Sequence, residues 1–147
     1  CPDPTLTGLF AKADIVAVAE VLKVDVTARG VDAETQREVR EVRWQVKLVQ
    51  GMKGRPPREL TVQHADLPPC ISAVVPQPGR YLMFLYNREG RISPLSYCDR
   101  ALFAIDAHDR VTVTPAMSKE LQLTGEQVPL TRVAALWARR SAPLPPT

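Results

Sequence analysis

Along residues 41–62 apolar and polar side chains alternate in two runs, EVRWQVKLVQ and RELTV, on either side of a Gly/Pro-rich connection, GMKGRPP. In the first run Val42, Trp44, Val46 and Leu48 point one way while Arg43, Gln45 and Lys47 point the other. A period of two predicts a strand with one buried and one wet face. Leu60 and Val62 repeat the pattern against Glu59, Thr61 and Gln63, so the pair reads as a β-hairpin. Such a hairpin cannot bury its own apolar face and must borrow further strands.

The rest of the chain supplies them. Residues 15–26, IVAVAEVLKVDV, are apolar at every position up to Ala19, after which Leu22, Val24 and Val26 alternate with Lys23, Asp25 and Thr27. This predicts a long, bent strand, buried on both faces at its start and on one face at its end, as in a strand shared by two sheets of a small barrel. Residues 27–40 carry Arg29, Asp32, Glu34, Arg37, Glu38 and Arg40 with almost no apolar content, and read as an exposed hairpin extension or loop. Residues 80–86, RYLMFLY, form a continuous apolar strand that turns at NREG and returns through 91–97. Pro94 breaks that return and marks it as an edge or a bulge.

Residues 101–105 and 110–114 flank Asp106, Ala107, His108 and Asp109 as one more small hairpin. A helix is expected from Pro129 to about Arg140, with Val133, Leu136 and Trp137 on its packing face. Near the start, Pro2 and Pro4 predict an extended segment to Gly8, with a short helical turn from Leu9 to Ala13. Residues 63–79, which contain Cys70, read as irregular, and SAPLPPT at 141–147 as a flexible tail. The expected fold is mainly β, a five-stranded OB-fold-like Greek-key barrel with an extra hairpin and a C-terminal helix, in one domain over 1–140.

Composition adds little to that picture but narrows the chemistry. With 45% hydrophobic and 24% charged residues the 147-residue chain is of ordinary globular make-up. Its net charge of +3 comes from charges that alternate in sign where they are densest, which argues against a dedicated polyanion binder. No apolar run approaches the roughly 20 residues that span a bilayer. A start at Cys1, without Met, is expected if a signal peptide has been removed, which implies an exported protein in the periplasm, the cell envelope or the medium. Cys1, Cys70 and Cys98 are an odd, widely spaced set that makes no zinc motif. A disulfide in an oxidising compartment is the expectation, with the third sulfur free, lipidated or intermolecular.

His64 and His108 stand apart from each other, beside Asp66 and beside Asp106 and Asp109, and read as surface or turn residues. Ser93, Ser96 and Ser118 lie in no nucleophile motif. The expectation is therefore no enzyme, no cofactor and no metal bound by the free protein. Trp44, Tyr81, Phe84 and Tyr86 could stack on nucleobases, but Trp44 shares a face with core residues and the nearby arginines alternate with carboxylates, so nucleic acid is not expected as a partner.

The motifs also stand in a familiar order: Phe10, Ala13-Asp14-Ile15-Val16, Val46-Lys47-Leu48-Val49 with Lys53-Gly54, Cys70, Gly79-Arg80-Tyr81-Leu82, Gly90-Arg91-Ile92 and Cys98-Asp99. Over roughly the first two thirds of the chain this order resembles the netrin-like module, and within it the tissue inhibitors of metalloproteinases and their bacterial homologues. The resemblance implies a non-catalytic, monomeric protein-binding module whose partner is a zinc metalloproteinase. In that family a disulfide-bonded N-terminal cysteine chelates the protease zinc through its α-amino group and carbonyl. Cys1 matches that position and Cys70 its disulfide partner, so Cys1, Pro2, Asp3 and Cys70 form the implied contact edge. Two positions depart from the pattern. Pro2 replaces a small polar residue, and Asp3 replaces a second cysteine, which leaves Cys98 without its expected partner. The alternative is an envelope lipoprotein anchored through a lipidated Cys1, with Cys70 paired to Cys98 and a structural or interaction role unrelated to proteases.

Overall fold

A computed structural model describes residues 4–34, 36, 38–66, 76–95 and 100–141. Its elements are α1 Leu6–Lys12, β1 Ile15–Val31, β2 Glu38–Lys53, β3 Glu59–Asp66, β4 Gly79–Arg88, β5 Arg91–Pro94, β6 Leu102–Ala104, β7 Arg110–Thr112, α2 Pro115–Glu120, β8 Gln127–Pro129 and α3 Leu130–Ser141. The chain is mainly β. Five strands follow one another as β1-β2-β3-β5-β4, and β4 pairs back onto β1 from Ile15↔Leu85 to Val21↔Gly79, so the sheet closes on itself as a ring. β6 joins β4 at Leu82↔Phe103, while β7 and β8 make a separate two-stranded sheet.

The central hairpin forms as its alternation predicts. Trp44 pairs with Val62 and Val46 with Leu60, and all four are buried while Arg43, Gln45 and Lys47 are exposed. β1 and β4 are the strands of continuous apolar sequence, and they meet side by side with Ile15 to Ala19 and Leu82 to Leu85 wholly buried. Both faces of that pair are covered, because α1 packs on it: Phe10 meets Phe84 at 5.6 Å and Trp137 of α3 at 5.1 Å, and Phe84 also meets Phe103 of β6 at 5.8 Å. Helix α3 presents buried Val133 and half-buried Leu136 and Trp137 to this layer, at the spacing read from the sequence.

Several expectations are corrected. The N-terminal segment is not extended to Gly8: α1 begins at Leu6, because Thr5 caps it by accepting the Gly8 N–H at 3.1 Å and Pro4 lies safely before the cap. β1 is longer than expected, and Leu22 does not share a face with Val24 and Val26. The register with β2 slips between Val21 and Lys23, so Leu22 is an extra residue that points outward, 51% exposed, and the alternation restarts beyond it. Val24 and Val26 then align with Trp44 and Val42, yet Val26 is 46% exposed because β4 stops covering β1 at Val21.

β5 is not an edge strand. It lies between β3 and β4, touching β3 among the described residues at a single parallel pair, Val62↔Ile92, and Pro94 ends it instead of interrupting it. The hairpin expected over 101–114 splits: its turn forms, but one arm joins β4 and the other joins β8, leaving only the bridge Ile105↔Val111 between them. Helix α2 and strand β8 are additional to the expected elements, and Pro129 closes β8, with α3 starting one residue later. Ser141 closes α3, and the rest of the expected tail lies outside the described residues. The irregular stretch shrinks, since β3 runs on to Asp66 and β4 starts at Gly79.

Candidate functional site

All of the implied contact residues, Cys1, Pro2, Asp3 and Cys70, and also Cys98 and Ser96, lie outside the described residues. What the structure does show is the platform from which the N-terminus leaves. The first turn of a helix has N–H groups with no partner inside the helix, and a carboxylate both satisfies them and complements the helix dipole. Glu120 at the end of α2 does this for α1, accepting from the Leu6 N–H at 2.7 Å, the Thr7 N–H at 2.9 Å and the Thr7 hydroxyl. At the other end Lys53 Nζ donates to the Phe10 carbonyl at 2.6 Å. Immediately after α1 the Asp14 N–H donates to the Leu85 carbonyl at 2.9 Å, and the Asp14 carboxylate accepts the Asn87 N–H at 2.8 Å. Gly54 lies against this junction with φ +74, and a Cβ there would sit 2.7 Å from the Asp14 carbonyl oxygen. The helix is therefore tied to the ring at both ends and along its buried face of Leu6, Leu9 and Phe10.

The charged stretch is a continuation of β1 and β2 beyond the ring, paired from Thr27↔Glu41 to Val31↔Glu38, which agrees with the hairpin reading. Ion pairs form around Glu41. Glu41 accepts from Arg43 Nε at 2.9 Å and pairs with Arg29, and these contacts, Arg43's hydrogen bond first, hold its carboxyl below the usual carboxylate range. From Leu22 to Val31, β1 pairs only with β2 among the described strands, so its other edge is open. Lys23, Asp25 and Arg29 along that edge are of the kind that blunts unwanted strand pairing, while Leu22, Val26 and Val31 are exposed apolar groups.

The two histidines divide. His108 sits in the exposed turn between β6 and β7, as expected. Its N–H donates to Asp106, whose carboxyl is held below the usual range mainly by the Arg110 N–H, helped by the His108 N–H and the Arg110 guanidinium. His64 is not a surface residue. It continues the inward parity of Leu60 and Val62 on β3 and is buried edge-on against Trp44, with ring centres 5.4 Å apart.

That histidine forms part of the wall of a cleft of about 370 Å³ between the end of β3 and the β4–β5 hairpin, with Gln63, Tyr86, Arg88, Arg91 and Ser93 around it. Sequence reasoning missed this grouping. Its signal was an arginine on each side of the Glu89-Gly90 turn. Of the aromatic candidates, Trp44 and Phe84 are core residues with no exposed face, and Tyr86 borders the cleft. Ser118 is buried on α2, and Ser93 lines the cleft. Among the described residues no three His, Cys, Asp or Glu side chains are grouped to hold a metal, and no helix is long and apolar enough to cross a membrane. Comparison with protein-family models and with curated protein sequences finds no match.

Proposed function

We propose that this chain is an exported, non-catalytic protein-binding module that engages a zinc metalloproteinase through its N-terminal edge, Cys1, Pro2, Asp3 and Cys70, as its resemblance to the tissue inhibitors of metalloproteinases implies. The five-strand ring with order β1-β2-β3-β5-β4 supports reading the fold as an OB-fold-like Greek-key barrel. The observation that carries the functional reading is the anchoring of α1 by Glu120 and Lys53. A terminus that chelates a metal in another protein must be held within a fraction of an ångström, and every residue ordered in advance removes part of the entropic cost of binding. Here the anchored helix begins at Leu6, five positions after Cys1. An α-amine has an ordinary pKa near 8, so it is readily neutralised beside a Lewis acid such as zinc. The ribbon beyond Val21, with Leu22, Val26 and Val31 exposed, offers the same partner a second surface.

The test is inhibition of a panel of zinc metalloproteinases by protein with a verified free Cys1 amine. The expected result is saturable inhibition that is lost when the α-amine is carbamylated. Full protease activity at micromolar inhibitor sinks the proposal. An intact mass showing a lipidated Cys1 with Cys70 joined to Cys98 would replace it with the envelope-lipoprotein reading.

A further inference from the structure

The cleft beside β3 is lined by two arginines, Arg88 and Arg91. Arg88 ends β4 and Arg91 opens β5, and they face each other across the two-residue turn Glu89-Gly90, where both residues have positive φ, 57° and 87°. Like charges directly opposite one another on a hairpin repel. On other strands Arg29 and Arg43 pair with Glu41, and Arg110 pairs with Asp106. Among the described residues no carboxylate lies within ion-pair distance of Arg88 or Arg91.

The geometry of the cleft suits an anion. The Arg88 guanidinium lies 4.8 Å from the centre of the Tyr86 ring, a cation–π contact that orients it beside the cleft instead of leaving it to sweep through solvent. Ser93, the cross-strand partner of Tyr86, contributes a hydroxyl, and Gln63 an amide, to the same walls. The cleft is open to solvent, and its volume of about 370 Å³ leaves room for a phosphate group.

We propose that this cleft binds the phosphate group of a small phosphorylated ligand, gripped by Arg88 and Arg91. A phosphate monoester is close to a dianion at neutral pH, so it neutralises both guanidinium charges, whereas a carboxylate neutralises one. The planar fork of each guanidinium can donate two parallel hydrogen bonds to phosphate oxygens, and Ser93 and Gln63 are placed to serve the remaining ones. The site is separate from the N-terminal edge and does not depend on the reading given to that edge.

The test uses the full chain and inorganic phosphate as the probe, titrated by calorimetry at constant ionic strength held with chloride. The expected result is saturable binding that weakens by about tenfold or more in each of Arg88→Gln and Arg91→Gln, since each removes charge-assisted hydrogen bonds. The control R55Q/R58Q removes two charges from exposed positions outside the cleft and should leave the affinity unchanged. All four arginines are exposed, so the variants should retain the wild-type thermal unfolding profile, which is checked in parallel. The proposal is overturned if phosphate does not saturate, if R88Q/R91Q binds it as tightly as wild type, or if acetate binds as tightly as phosphate.

Discussion

Glu120 illustrates how one side chain can decide an element far away in sequence. It satisfies two N–H groups and a hydroxyl of α1, more than a hundred positions upstream, and no local pattern around either residue announces the contact. Glu120→Ala would leave those donors in a partly buried position with no acceptor, at a cost of about 1–3 kcal/mol. The expected outcome is a lower urea midpoint with an unchanged slope, and an unshifted midpoint would mean that water replaces the carboxylate fully. Parity, by contrast, is legible one residue at a time. Trp44 was readable as core from its alternation with Arg43 and Gln45, and the same rule applied to Leu60 and Val62 points inward at His64. The composition rule that histidines favour surfaces competed with that parity, and the parity was the better guide.

At the scale of elements, the β1–β2 ribbon supplements its backbone pairing with surface ion pairs around Glu41, where the ring supplements it with apolar contacts. Glu41's carboxyl is depressed below the usual range by Arg43 and Arg29, so its folded-state pKa lies below its unfolded one. A depressed carboxyl adds stability above the unfolded pKa and loses it as pH falls through the folded value. In an NMR titration the Glu41 carboxyl carbon should therefore titrate below the ordinary glutamate range, and the ribbon amides past Thr27 should lose protection as it protonates. Titration in the ordinary range would show that Arg29 and Arg43 do not hold Glu41 in solution. The ribbon's existence was legible from its lack of apolar residues between two strands. The outward turn of Leu22 was not, because a bulge is set by how two strands pair and leaves no mark in the spacing of either.

At the scale of the molecule, the ring has one weak seam. Among the described residues β1 and β4 share seven consecutive residue pairs, whereas β3 and β5 share the single pair Val62↔Ile92. Local opening begins where backbone pairing is thinnest. Native-state hydrogen exchange is expected to find Val16, Val18, Leu82 and Phe84 exchanging only through global unfolding, and Ile92 and Ser93 exchanging through a smaller opening at the seam. Equal protection along β4 and β5 would refute a seam there. By itself the sequence determined the central hairpin and its buried face, the apolar strands at 15–19 and 82–85, and the packing face of the last helix, because side-chain alternation and helical spacing are local properties of backbone geometry. Only the tertiary structure decided that β1 closes onto β4, that β5 enters between β3 and β4, that the arms of the 101–114 segment part company, and that Glu120 caps α1. Those outcomes depend on which apolar faces meet across long stretches of chain, and the cleft that brings Arg88, Arg91 and His64 together exists only once that choice is made.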